Sequence, residues 1–166
     1  LYTFGFNAFG QLGDGTLVSK ITPIRALKGA DYAGTSYLGD NPINPIKSIS
    51  SGYQSQYALL SDGTVYSFGN NSNGQLGNGN LVNQYTPVKV LKGAYAGTTY
   101  LGDKNSNPII SISSGQMHCF AVGEDGYVFS FGKNGTGQLG DSTLVNKSSP
   151  ILMHGVNDVG YLNVLD

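Results

Sequence analysis

The sequence is short of the residues on which most chemistry rests. One cysteine, Cys119, in 166 residues excludes an internal disulfide framework and any metal site built from several thiolates. It leaves secretion open, because an all-β protein of this size can hold together without disulfides. Charged residues make up only 11% of the chain and nearly cancel, to a net charge of -1. A nucleic-acid backbone is bound through clustered Lys and Arg. Here eight Lys and the single Arg25 are scattered, so nucleic acid is not an expected partner. No apolar run approaches the roughly 18 residues of a membrane span. No signal peptide is visible. The chain opens inside a motif, at Leu1-Tyr2 and without Met, which leaves room for a targeting segment ahead of it. No paired carboxylates face a plausible cleft, and no segment reads as a helix. GNNSNG is glycine-rich but lies between strands, so it cannot cradle a phosphate at a helix N-terminus. No catalysis, no cofactor and no metal are expected.

What is present is a repeat. YTFGFNAFGQLG begins at Tyr2, YSFGNNSNGQLG at Tyr66 and FSFGKNGTGQLG at Phe129, spaced by 64 and 63 residues. A fixed period of this size marks a repeat architecture. Glycine is abundant, with 25 residues, yet 11 Tyr and 7 Phe recur at matching positions, so the composition is not that of disorder. In the middle copy, residues 46–50 (IKSIS) alternate apolar and polar, and residues 56–60 (QYALL) read as a second strand. Asp62-Gly63 is a hairpin turn, residues 65–68 (VYSF) return, and Gly69 ends that strand. Thr86-Pro87 then leads into residues 88–91 (VKVL), with proline at the first position of an edge strand. Residues 109–113, 119–123 and 127–131, with Pro150, repeat the pattern.

Four short antiparallel strands per 63 residues predict an all-β fold, a partial β-propeller made of an arc of two to three blades. The units run approximately over 1–45, 46–108 and 109–166, each ending in an inter-blade insertion. The motif Gly10-Gln11-Leu12-Gly13, Gly74-Gln75-Leu76-Gly77 and Gly137-Gln138-Leu139-Gly140 is read as structural, its leucine plugging a hydrophobic slot while the glycines bend the chain around it. Nearby Asn side chains can satisfy the loop's own amides and carbonyls.

Two patterns carry a resemblance. One is aromatic-x-Phe-Gly followed by Gly-Gln-Leu-Gly. The other is residues 112–122 (ISSGQMHCFAV), with Ser55 standing where the equivalent segment would have His118. Together they resemble the regulator of chromosome condensation repeats, over nearly the whole chain. That family includes beta-lactamase-inhibitor protein II and bacterial surface proteins. The resemblance implies a ring usually of seven blades, hence about 440 residues, and so a chain that is a piece of a longer protein. It also implies protein partners, the remaining blades of the parent among them. Guanine nucleotide exchange on a small GTPase is the alternative function. An extracellular or bacterial cell-surface setting is the expectation by analogy, with the cytoplasm as the alternative. If the face of a terminal blade exposes on the order of 400 Å² of apolar area, covering it is worth roughly 10 kcal/mol. An isolated arc should therefore be marginal or sticky.

Residues 28–45 (KGADYAGTSYLGDNPINP) recur as 92–108 (KGAYAGTTYLGDKNSNP), with a trace at His154-Gly155 and Tyr161-Leu162. These insertions are expected to project as a ladder of loops on one side. Tyr37, Asp40, Tyr100 and Asp103 are the possible partner-binding residues, since tyrosine offers large area at low entropic cost; the alternative is that Tyr37-Leu38 and Tyr100-Leu101 fold inward. His118 and Cys119 are neighbours on a strand and so face opposite ways, which disfavours a nucleophile pair. Asp14-Gly15-Thr16, Asn78-Gly79-Asn80 and Asp141-Ser142-Thr143 carry too few carboxylates for calcium and read as turns. The sequons at Asn70, Asn134 and Asn146 are read as products of Asn-rich loops.

Overall fold

Short β-branched and aromatic runs separated by glycine turns leave the chain little choice but antiparallel sheet. The computed structural model describes every residue except 31, 35, 96, 98, 104–106 and 166, seven of which belong to the two insertions and the last to the third unit. The strands are β1 (Tyr2–Gly5), β2 (Lys20–Arg25), β3 (Ile46–Ser51), β4 (Ser55–Leu60), β5 (Val65–Gly69), β6 (Gln84–Lys89), β7 (Ile109–Ser114), β8 (His118–Gly123), β9 (Val128–Gly132) and β10 (Lys147–Leu152). Among the described residues, the only helical element is a single 3-10 turn at Val156–Asp158. The sheets are β1-β2, β3-β4-β5-β6 and β7-β8-β9-β10, each antiparallel and laid down in chain order.

The last strand of each sheet differs from the expectation. β6 begins at Gln84, so Pro87 lies inside it and not at its head. Val90 and Leu91 fall beyond its end. Pro87 sits where the pairing slips, between Ser67↔Val88 and Gly69↔Gln84. Pro150 and Pro23 occupy the same slip in β10 and β2. A bulge on an edge strand tolerates a residue without an N–H donor.

The core lies between the sheets, not inside any one of them. Alternate residues of β4 go to different neighbours. Ala58 and Leu60 pack with Ala26, Tyr32 and Leu38 of the first unit. Tyr57 and Leu59 pack with Ile109, Ile112, Cys119, Ala121, Phe129 and Phe131 of the third sheet. β5 is buried along its whole length for the same reason; β9 is buried as well, its Phe129 and Phe131 against the second unit and its Ser130 against its own GQLG loop, where the hydroxyl donates to the Leu139 carbonyl at 2.8 Å. The sheets converge at β3 and β7, where the Ser50 and Ser114 hydroxyls meet at 2.8 Å and the Ser114 amide donates to Ser50 Oγ at 2.9 Å. These strands line the narrow side of the arc.

The insertions do not project as a ladder; they staple each junction. Tyr32 meets Tyr66 edge-on at 5.8 Å, and Tyr95 meets Phe129 at 5.5 Å, each across to the next sheet. The Ala94 amide donates to the Pro150 carbonyl at 2.8 Å. A Cβ on Gly93 would sit 1.9 Å from that oxygen, so the approach demands glycine. Asn44 and Asn107 each clamp the hairpin turn of the following sheet, through Asp62 and Asp125. Because the rings that recur in the sequence are the glue of the junctions, Phe131→Ala should cost about 3–5 kcal/mol. Chemical denaturation followed by tyrosine fluorescence should show the second and third sheets still melting in one transition, since neither owns the core.

Candidate interaction surface

Each GQLG loop is built around one buried asparagine. Asn71 Oδ1 accepts from the Leu76 amide at 2.9 Å. Its Nδ2 donates to Asn78 Oδ1 at 2.9 Å, to the Asn80 carbonyl at 2.9 Å and to the Val82 carbonyl at 3.2 Å. Asn7 and Asn134 make the equivalent bonds around Leu12 and Leu139. Gln11, Gln75 and Gln138 each accept a backbone amide two residues back, from Phe9, Asn73 and Thr136. Leu12, Leu76 and Leu139 are buried. Gly74 and Gly77 have φ of 77° and 64°, and a Cβ on either would strike the third sheet, at Ser148 and at the Phe131 ring. The motif is thus both a turn and the docking face for the next unit. The Gly15 amide donates to the Tyr85 carbonyl at 2.9 Å, and the Gly79 amide to that of Ser148 at 2.8 Å.

The same scaffold holds a feature of the opposite character at its tip. Leu17-Val18, Leu81-Val82 and Leu144-Val145 stand at one repeat position and are between 48% and 67% exposed. The backbone of each valine is engaged on both sides. Val18, Val82 and Val145 accept from the buried asparagine, and their amides donate to Thr16, Asn80 and Thr143 side chains. Asp14 and Asp141 sit behind the tips in ion pairs with Lys20 and Lys147, at 3.7 Å and 3.0 Å. The tips are therefore rigid, apolar and uncharged, and equivalence in the repeat puts all three on one face of the arc. GQLG-x-x-x-Leu-Val was in the sequence three times. The signal for it is an apolar pair inside a polar loop.

Tyr37, Asp40, Tyr100 and Asp103 lie on the outer side of the insertions. Asp40 accepts from the Ser36 and Tyr37 amides at 2.8 Å and 3.0 Å, and Asp103 from those of Thr99 and Tyr100 at 2.7 Å and 2.9 Å. The Tyr37 ring is half-buried under Arg25 at 5.1 Å, and Tyr100 under Lys89 at 4.8 Å. Leu38 and Leu101 are fully buried. The tyrosines do not gather with the Leu-Val tips into one described site.

His118 is half-buried, meets Phe120 edge-on at 5.0 Å and covers Gly115, and its burial lowers its pKa. Cys119 is buried and its thiol is pushed well up by that burial, which removes it as a thiolate nucleophile. Ser142, His154 and Asp158 do meet at the surface. Ser142 and Asp158 both engage the same ring nitrogen, His154 Nδ1, so no proton relay runs through the ring. Among the described residues, no group of three or more His, Cys, Asp or Glu could hold a metal. Asn134 is fully buried with its Nδ2 spent on loop acceptors, which leaves that sequon no free amide for a glycan.

These elements define a class: a β-propeller repeat protein whose units share their cores and display equivalent loops. The chain belongs to the regulator of chromosome condensation (RCC1) repeat family, whose model matches residues 1–59, 62–122 and 125–165. A second model of the same description matches 46–75 and 109–138. Over 157 residues, or 95% of this chain, it is 31% identical to the ultraviolet-B receptor UVR8 of Arabidopsis thaliana. It is also 31% identical over 160 residues to the human probable E3 ubiquitin-protein ligase HERC6. The chain spans only 30% and 14% of those two proteins. Among solved structures, Prp20p of Saccharomyces cerevisiae matches 93% of this chain with a TM-score of 0.66 at 23% identity, and this chain covers 34% of it.

Two expectations test the loop architecture. Asn71→Ala should cost about 1–3 kcal/mol, because the Leu76 amide loses its acceptor in a buried place. Asp141 is held down to about 2, as the bonds from Thr143, Lys147 and Asn134 outweigh the burial that opposes them, and Asp14 is lowered in the same way. A carboxylate whose folded pKa lies below its unfolded one stabilises the fold above about pH 4 and loses that contribution as pH falls toward 2. Melting temperature should therefore fall between pH 4 and 2, and fall less steeply in Asp141→Asn.

Proposed function

We propose that this chain is part of a non-catalytic protein–protein interaction scaffold. The observation that carries the reading is the set of Leu-Val tips, three apolar pairs held on one face with the amide and carbonyl of each valine already bonded within the loop. Docking such tips removes apolar area from water while the valine amides and carbonyls keep their bonds within the loop. Ordering entropy is small, because the asparagine hub has already set the loop. Three equivalent contacts act together, so modest single contacts add up to useful avidity. The partners are other proteins, and further repeats of the parent chain cover the ends of the arc. The near-neutral surface argues against nucleic acid.

Regulation of a small GTPase is the second reading. It is favoured by the likeness to Prp20p, whose structure is described with its binding to Gsp1p and histones. A bacterial cell-surface setting belongs to the proposal through low charge and loops rich in Asn, Ser and Thr; surface proteolysis of intact cells tests it.

Proximity cross-linking in the source cell is the test. Leu81→Asp combined with Leu144→Asp should lower the yield of cross-linked protein partners by about tenfold, while the melting temperature stays within a degree or so of the parent. Unchanged partners would remove the tips from the reading. Stimulated nucleotide release from a Ran-type GTPase by the full-length protein would favour the second reading instead.

A further inference from the structure

The two junctions between units are built alike but are not lined alike. At each, an insertion tyrosine meets a ring of the next sheet edge-on, Tyr32 with Tyr66 and Tyr95 with Phe129. At each, an asparagine clamps the next hairpin turn, Asn44 through Asp62 and Asn107 through Asp125. The first junction holds a cavity of about 80 Å³, lined among others by Asn41, Asn44, Asp62, Thr64, Tyr66 and Lys89. One repeat on, the places of Thr64, Tyr66 and Lys89 are taken by Tyr127, Phe129 and Leu152. Leu152 pairs with Phe129 as Lys89 pairs with Tyr66, and it packs on the shared core. The second junction thus closes without the Tyr66 hydroxyl and without the Lys89 ammonium, so closing the first does not require them.

We infer that this cavity binds a small zwitterion of the amino-acid class, with its carboxylate on Lys89 and the Thr64 hydroxyl and its ammonium on Asp62. Both charges of the site are held in place. The Asp62 carboxylate accepts from the Asn44 side chain at 2.6 Å and from the Thr64 amide at 2.9 Å, and an ionised carboxylate has room for further donors. Lys89 Nζ lies over the Tyr100 ring at 4.8 Å and the Tyr66 ring at 6.0 Å. Ring faces attract the charge without consuming the three N–H donors of the ammonium. A lone anion in the cavity would face Asp62, and a lone cation would face Lys89; a solute with both charges meets an opposite one at each end. At about 30 Å³ per water in the liquid, the space is that of about two to three waters, which suits glycine or alanine and no long side chain. The cavity has walls from the first insertion and from the second sheet, so its occupant ties the two units together and should raise the melting temperature. This site is separate from the Leu-Val tips and does not depend on their role.

Isothermal titration of the chain with glycine and with L-alanine is the test. Saturable one-to-one heat is expected for both, and none for glycerol, which is of similar size without the charges. N-acetylglycine, which lacks the ammonium, and glycine methyl ester, which lacks the carboxylate, should each bind at least about tenfold more weakly than glycine. Lys89→Leu installs the residue that the third sheet carries there, so it should unfold at the parent temperature and still lose at least about tenfold in affinity. Asp62→Asn keeps an acceptor for the Asn44 side chain and should lose as much. Leu81→Asp should bind glycine as the parent does. Absence of saturation, equal binding of glycerol or of the two blocked forms, or equal binding by Lys89→Leu would each overturn the inference.

Discussion

Two-sided burial of the sheets is the constraint on which everything else depends. A sheet residue presents its side chain to one face or the other, and in β4 both faces are apolar. Tyr57 and Leu59 are inside only because the third sheet is there, and Ala58 and Leu60 only because the first unit is there. No sheet closes a core of its own. The free energy of burial therefore sits at the junctions, and the units are cooperative by necessity.

The junction explains the residues that recur. The second glycine of GQLG is needed where an aromatic ring of the next sheet lies against the backbone, as Phe68 does at Gly13 and Phe131 at Gly77. The insertions add a second layer to the same contact, through Tyr32 and Tyr95 and the asparagines that hold the next hairpin turn. Once these requirements are met, the remaining face of each loop is free to vary. There the chain keeps an exposed Leu-Val pair three times. The buried asparagine links the two roles, since one amide holds the inward leucine and the outward valine in place.

The strands, the hairpin turns and the propeller class were legible because they rest on local signals: alternation, Asp-Gly turns and a fixed period. The GQLG motif was legible as a turn with a plugged leucine. Pro87 was misplaced because a bulge is a property of pairing, and the pairing partner is not visible from the strand itself. The inward fold of Leu38 and Leu101 was one of the two readings open to the sequence, but the contact of the insertions with the next sheet was not legible, because the partners of Tyr32 and Tyr95, Tyr66 and Phe129, lie more than thirty residues on. The Leu-Val tips were passed over since a short apolar pair carries no periodicity, and only exposure separates it from core.

The order of residues by itself determined the unit and how often it is used, because turn chemistry and strand alternation act within a few residues. It also determined which glycines and aromatics are indispensable, by repeating them. Only the tertiary structure decided which side of each strand meets which neighbour, that the insertions bind sheets together, and that Leu17-Val18, Leu81-Val82 and Leu144-Val145 face outward while Leu12, Leu76 and Leu139 face in. The physical reason is that burial belongs to a pair of surfaces, and at each junction the second surface is supplied by another unit.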